Sequence, residues 1–217
     1  MTTKQRYKGV IEQINKMFPN ATTELSYKDN FQLLIAVILS AQCTDKRVNE
    51  ITPKLFERFP TAESMAKATA EDVFPYIKSI SYPSSKAKYL VNSAKRLVEV
   101  YNGEVPSNVD ELQTLNGVGR KTANVMATVV FSQQRMPVDT HIHRVSRRLG
   151  LTNNAKTPLQ TELQLMKNLQ TENVNLLHHQ LLLLGRRVCT ARKMHCEECG
   201  VRNFCKTYIS DNQRKEE

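Results

Sequence analysis

Lys121 stands directly behind a Gly117-Val118-Gly119-Arg120 turn, at the mouth of a segment whose Val125, Met126, Val129 and Val130 share one helical face. Most lysines are solvated cations. In the first turn of a helix, however, the charge opposes the helix dipole. An amine held there partly desolvated and near other cations loses its proton more readily and can act as a nucleophile. Taken alone, that argument leaves the ordinary helix-face cation as the commoner role. The turn adds to it. Residues 107–115 read as a capped helix, 116–119 as a turn and 120–131 as a second helix, which makes a helix-hairpin-helix. Gly117 and Gly119 allow a sharp turn and a close backbone approach, while the N–H groups opening the second helix, together with Arg120, offer positive charge to an anion. A DNA phosphate fits such a place and would be anchored without its sequence being read. A Walker loop needs four residues between its glycines and a Gly-Lys-Ser/Thr ending after a strand, so the spacing here argues against nucleotide hydrolysis.

Cys189, Cys196, Cys199 and Cys205 form a second constellation, spaced Cys-x6-Cys-x2-Cys-x5-Cys. Four thiolates hold a zinc ion or a 4Fe-4S cluster. Zinc ribbons usually offer two Cys-x-x-Cys pairs and this run has one, while the common ferredoxin spacings do not match either. Spacing therefore leaves both open, with a slight lean to iron and sulfur. Arg192 and Lys193 lie between the first two cysteines, Arg186 and Arg187 lie just upstream, and no acid occurs before Glu197. A loop braced by metal would present such cations in fixed order to a phosphate backbone. Cys43, alone beside Gln42, reads as a small buried apolar residue.

The elements that must carry these residues are helical. Tyr7, Val10, Ile11, Ile14, Met17 and Phe18 recur at spacings of three and four, and nothing alternates over strand length. The apolar run 31–39 suits a buried helix or a buried strand, and its helical surroundings decide for helix. Thr69-x-x-Asp72 and Ser107-x-x-Asp110 have the capping-box form, and Thr157-Pro158 with Gln160 combines a cap, a first-turn proline and a capping-box glutamine. Gly103, Gly150 and Gly185 read as helix stops. The expectation is an all-α protein of roughly ten short helices, with a frayed terminus at residues 210–217. No repeat or low-complexity linker marks a domain boundary.

The chain is 217 residues long, and its 31 Lys+Arg against 21 Asp+Glu give a net charge of +10. That excess favours a polyanionic partner through counterion release: nucleic acid first, an anionic membrane surface second. The most apolar run is too short to span a bilayer, and the first ten residues lack a signal-peptide core. No membrane association is expected. From these features the protein is expected to be soluble and intracellular. In such a reducing compartment clustered cysteines favour metal over disulfides.

Taken together, "LNGVGRKTANV", "VDTHIHRV" and the cysteine run resemble the endonuclease III family of DNA glycosylases. The segments "TTELSYKDNFQLLIAVILSAQCTD" and "NGEVPSNVDELQTLNGVG" extend the likeness, in order and spacing, over nearly the whole chain. The resemblance implies a two-lobed, all-α helix-hairpin-helix glycosylase fold: a six-helix lobe over residues 23–133, and a cluster lobe from 1–22 and 134–217. It implies that Lys121 is the nucleophile, that Asp139 is its catalytic partner, and that Cys189, Cys196, Cys199 and Cys205 hold a 4Fe-4S cluster. Gln42 is then a filler of the gap left by an extruded nucleotide. A second wedge in the family comes from a Gly-Leu-Tyr-type loop, and here the chain departs, with Ser81 and Tyr82 in place of glycine and leucine and Pro83 following. Tyr82 would stack where leucine wedges.

Read by itself, Asp139 is a cap for a helix starting near Thr140. A carboxylate at a helix N-terminus stays ionised, so it can also stabilise a sugar cation or help move protons. His141 and His143 read as structural or phosphate-contacting; His143 stands where the family commonly has an aromatic. The activity implied is that of a monomeric, bifunctional glycosylase and abasic-site lyase. It would excise oxidised pyrimidines from damaged double-stranded DNA and cut 3′ to the lesion by β-elimination. The adenine-removing relatives usually lack a lysine at this position. The alternative is a non-catalytic helix-hairpin-helix DNA-binding module with a structural metal, in which Lys121 only contacts phosphate.

Overall fold

A computed structural model describes residues 1–169 and 173–216. The chain divides into two compact units: Glu24–Gln133, which is continuous, and Met1–Thr23 joined with Gln134–Glu217. Among the described residues there are twelve α-helices, no β-strand, and no helix long and apolar enough to cross a membrane. The count exceeds the ten read from periodicity because two helices are only four and five residues long, too short to show an apolar period.

The first helix, α1 (Thr3–Met17), belongs to the discontinuous unit. Thr2 and Gln5 close a capping box at its start, and Tyr7, Val10 and Ile14 are buried, so the apolar stripe read from the sequence is its core face.

The continuous unit then holds α2 (Asn30–Ser40), α3 (Asp45–Arg58), α4 (Ala62–Ala66), α5 (Ala70–Ile77), α6 (Pro83–Tyr101), α7 (Val109–Leu112) and α8 (Arg120–Val129). Asp29 caps α2, and every residue from Phe31 to Leu39 is buried, so the uniformly apolar run is a helix surrounded on all sides. Leu34, Ile35 and Ile38 join Leu55, Met65, Ile77, Leu90 and Leu97 in one core. Each such side chain contributes about 1.5–3 kcal/mol by leaving water. Cys43 lies half-buried against this core, not inside it, because the chain has already left α2.

Some local signals hold and others move. Thr69 and Asp72 close their capping box. Helix α7 starts later than residue 107 because Asn108, not Ser107, is its cap: the Asn108 Oδ1 accepts the Asp110 and Glu111 N–H groups at 2.8 and 3.3 Å. Helix α8 ends at Val129, short of residue 131, and Ser132 turns left-handed at φ 52°. The stop at Gly103 is shared with Asn102, which is also left-handed.

The discontinuous unit resumes with α9 (Thr140–Leu149), α10 (Pro158–Asn168), α11 (Val174–Leu183) and α12 (Lys206–Glu216). Gly150 ends α9 in the left-handed conformation, as expected of a C-cap. Thr157 caps α10, but the Gln160 side chain accepts from the Lys156 N–H at 2.7 Å and so does not close a box on Thr157. Gly185 is not a stop. It sits buried in a π-helical turn, Leu184–Val188, that continues α11, and a Cβ there would lie 2.9 Å from the Cβ of His141. The glycine permits the close approach of α9 and does not reverse the chain. The terminus does not fray as expected, since α12 runs to Glu216, held early in its course by the Thr207 hydroxyl donating to the Arg148 carbonyl at 2.9 Å. Glu217 lies outside the described residues. Val10 and Ile14 pack with Ile142, Val145, Leu165 and Leu181 in the core of this unit.

Candidate functional site

The hairpin is built on buried supports. Leu112, Leu115 and Val118 anchor its first half in the core, and the Ser93 hydroxyl of α6 donates to the Asn116 carbonyl at 2.7 Å. Gly117 is required twice: its φ is +78°, and a Cβ would meet the Tyr89 ring at 3.0–3.1 Å. Gly119 is different. It caps α8 in an extended conformation, φ −89° and ψ 178°, which any residue adopts, and nothing lies within 4 Å of where its Cβ would be. It supplies no side-chain cap either. Neither backbone nor packing explains this glycine, so its merit is the bare, open approach it leaves to the first N–H groups of α8. Arg120 and Lys121 are both exposed at that opening. The partial burial expected of the Lys121 amine is therefore not supplied by the fold itself.

In the same unit, the sequence-predicted Gln42 and Tyr82 both project from left-handed backbone, each at φ 56°, and Tyr82 is 64 % exposed. Pro83 is the first residue of α6, so its missing N–H costs nothing there. Ser81 Oγ donates to the Gln42 carbonyl at 2.8 Å, which ties the two residues' loops together.

Asp139 belongs to the discontinuous unit. Its Oδ1 accepts the Ile142 N–H at 2.8 Å, so it does cap α9. A cap of this kind fixes the carboxylate's position while a second oxygen remains for other work. His143 Nδ1 and the Thr161 hydroxyl lie 2.7 Å apart, and burial, followed by the nearby Arg147 charge, pulls the imidazole pKa down.

The cysteine loop has a frame that the sequence reading missed. Arg144 and Arg148, one turn apart on α9, reach the carbonyls of the loop: Arg144 Nη2 donates to Gly185 and Cys189 at 2.8 and 3.1 Å, and Arg148 Nη1 to Thr190 at 2.6 Å. Arg148 Nη1 also stands 3.3 Å from Cys189 Sγ. The signal was an i, i+4 arginine pair on a helix that also carries Arg147, His141 and His143, so it is legible only once the loop is known to lie beneath it. Thr190 Oγ1 folds the loop back on itself by donating to the Lys193 carbonyl at 2.6 Å, and Arg192 and Lys193 are exposed on its outside.

Burial pushes the Cys199 thiol up to about 11 and raises Cys196 and Cys205 as well, and part of each rise comes from the charges of the other cysteines. The four sulfurs thus sit close enough to repel one another as thiolates, with a guanidinium against the first. Such a set suits a metal centre that takes several thiolates and offsets their charge. No three His, Cys, Asp or Glu side chains among the described residues are grouped to hold one metal ion. That leaves a cluster open, since it takes one thiolate at each of its irons.

A family model described as HhH-GPD superfamily base excision DNA repair protein matches residues 35–171. Endonuclease III of Bacillus subtilis (strain 168) is 41 % identical over 196 residues, which is 90 % of each chain. Two solved structures match with a TM-score of 0.91, covering 98 % of this chain and all of theirs. One is a non-covalent endonuclease III–DNA complex at 39 % identity, and the other a trapped endonuclease III–DNA covalent intermediate at 40 %.

Proposed function

Because the chain belongs to the HhH-GPD superfamily of base excision DNA repair proteins, among the endonuclease III enzymes, we propose that it removes oxidised pyrimidines from duplex DNA and then cuts the strand. It is a bifunctional DNA glycosylase and abasic-site lyase with an all-α, two-lobed fold. The observation that carries the reading is its full-length likeness to an enzyme trapped covalently on DNA. Covalent capture needs a nucleophile, and here an exposed amine, Lys121, stands at the mouth of a hairpin built for phosphate.

On this reading the Lys121 amine attacks C1′ of the damaged nucleotide and the base leaves with the glycosidic electron pair. Asp139, held in place by its capping bond, stabilises the positive charge that develops on the sugar and helps move the amine's proton. The sugar ring opens as nitrogen and C1′ form an imine. Loss of a C2′ proton then expels the 3′ phosphate, and water hydrolyses the imine to restore the amine. Gly117, Gly119 and Arg120 hold a phosphate near the lesion, Arg192 and Lys193 another part of the backbone, and Gln42 and Tyr82 fill the space of the extruded nucleotide. The continuous unit is then the hairpin lobe and the discontinuous unit the cluster lobe, in a protein that works as a monomer in a bacterial-type cytoplasm. Borohydride should trap the wild-type protein on a duplex carrying one oxidised pyrimidine. A protein that binds such a duplex and never forms a reducible adduct is instead a binding module.

The free helix start makes a separate prediction. Serine is a better N-cap than glycine, and the space at Gly119 is open. Gly119→Ser should therefore fold as well as wild type or gain a few tenths of a kcal/mol, while duplex affinity falls on the order of tenfold, ~1.4 kcal/mol. Parallel thermal melts and titrations at fixed salt check this; unchanged affinity would remove the hairpin from the DNA interface.

Cys189, Cys196, Cys199 and Cys205 would hold a 4Fe-4S cluster, which when bound cross-links the loop and fixes its cations. Purified protein is expected to carry about four irons per chain, with Cys199→Ser lowering both the iron content and the thermal midpoint. Zinc in place of iron after anaerobic purification would overturn the assignment.

A further inference from the structure

Gln42 and Tyr82 adopt a backbone conformation that residues with a Cβ rarely take, so something around them must impose it. Three contacts do. Ser81 Oγ donates to the Gln42 carbonyl at 2.8 Å across 39 residues of chain. Lys86 Nζ donates to the carbonyls of Leu39 and Ala41 at 2.8 and 2.6 Å, at the end of α2 just before Gln42. The Lys86 N–H closes the first turn of α6 on the Tyr82 carbonyl at 3.0 Å. Lys86 is only 4 % exposed, and burial pulls its pKa down. Its charge faces helix-terminal carbonyls, which carry the negative end of the α2 dipole. A buried cation that brackets two loops serves their geometry.

We propose that Ser81 and Lys86 are positioning residues that lock Gln42 and Tyr82 into one two-pronged probe, so that discrimination between damaged and intact duplex depends on the Ser81 hydroxyl. This deepens the repair reading above and rests on it. A side chain that enters a base stack works only if its backbone resists being pushed back. Neither prong has a glycine's freedom, and each is braced by the other's loop. The prongs therefore enter or withdraw as a unit, and the Ser81 hydrogen bond is the direct link between them.

A double-mutant cycle tests the link. The readout is the ratio of affinities for a duplex with one oxidised pyrimidine and the same duplex intact, at fixed salt. Ser81→Ala should lower the ratio about two- to tenfold, the worth of one hydrogen bond. In a Gln42→Ala background the same change should have almost no further effect, and Ser81→Thr, which keeps the hydroxyl, should restore the wild-type ratio. Lys86→Met, if folded, should lower the ratio as Ser81→Ala does. A hydroxyl that merely stabilised its loop would shift the thermal midpoint and act equally in both backgrounds. Equal effects, or an unchanged ratio, overturn the proposal. The repair reading fails separately: a wild-type protein indifferent to the lesion sinks the function, whereas a discriminating wild type with an indifferent Ser81→Ala sinks only the coupling.

Discussion

Lys121→Ala is expected to give a folded protein that binds duplex DNA but leaves no borohydride-stable adduct and releases no base. The side chain is exposed in the first turn of α8, so alanine removes no packing. It also removes a cation that opposes the helix dipole, and stability should hold or rise by a few tenths of a kcal/mol. Only chemistry is lost. Single-turnover base release should fall by at least about 10⁴-fold, ~5.4 kcal/mol of barrier. Trapping that persists at wild-type level would mean that another amine attacks and would return Lys121 to the surface cations.

The second large effect is expected at Asp139. Asparagine caps helices about as well as aspartate, so Asp139→Asn keeps the bond to the Ile142 N–H and loses only the charge. Stability should fall by no more than ~1 kcal/mol, the worth of a carboxylate at a helix N-terminus. Turnover should fall on the order of 10²- to 10⁴-fold, the contribution of a positioned proton-transfer group. The cap alone predicts a rate near wild type, with the thermal midpoint little changed because asparagine caps as well. Measuring both separates a helix cap from a helix cap that also takes part in catalysis.

What could be read from the sequence was local. The N-terminal stripe, the buried run of α2, the Thr69–Asp72 box, the Thr157 cap, the stop at Gly150 and the hairpin turn are all fixed by residues within a few positions of one another. The errors share a cause. Gly185 has the composition of a helix stop, yet its role is set by His141 of another helix. Ser107 and Asn108 are both good caps, and only the path of the chain chooses between them. The terminal helix lacks an apolar period and is held by Thr207 on the Arg148 carbonyl. The site follows the same rule. The four cysteines stand out by type and spacing, and Lys121 and Asp139 only through the resemblance to the family, but Lys86, Arg144 and Arg148 act across 41 to 47 residues of chain. Their lysine and arginine types suggested only solvated charge. The left-handed backbone of Gln42 and Tyr82 had no signal at all, since neither is a residue that favours it.

The discontinuous unit also sets an order of assembly during synthesis. Helix α1 is made first, yet its partners come last: Tyr7 bonds to the Leu151 carbonyl 144 residues later, and Asn15 to Gln180 after 165 residues. At synthesis rates of about 5–20 residues per second, the N-terminal helix waits on the order of 10–30 s beside the ribosome with its apolar stripe uncovered. Glu24–Gln133 is continuous, so it can finish folding in that interval. The last step is a long loop closure around a segment already folded, which costs far less entropy than closing the same length of free chain.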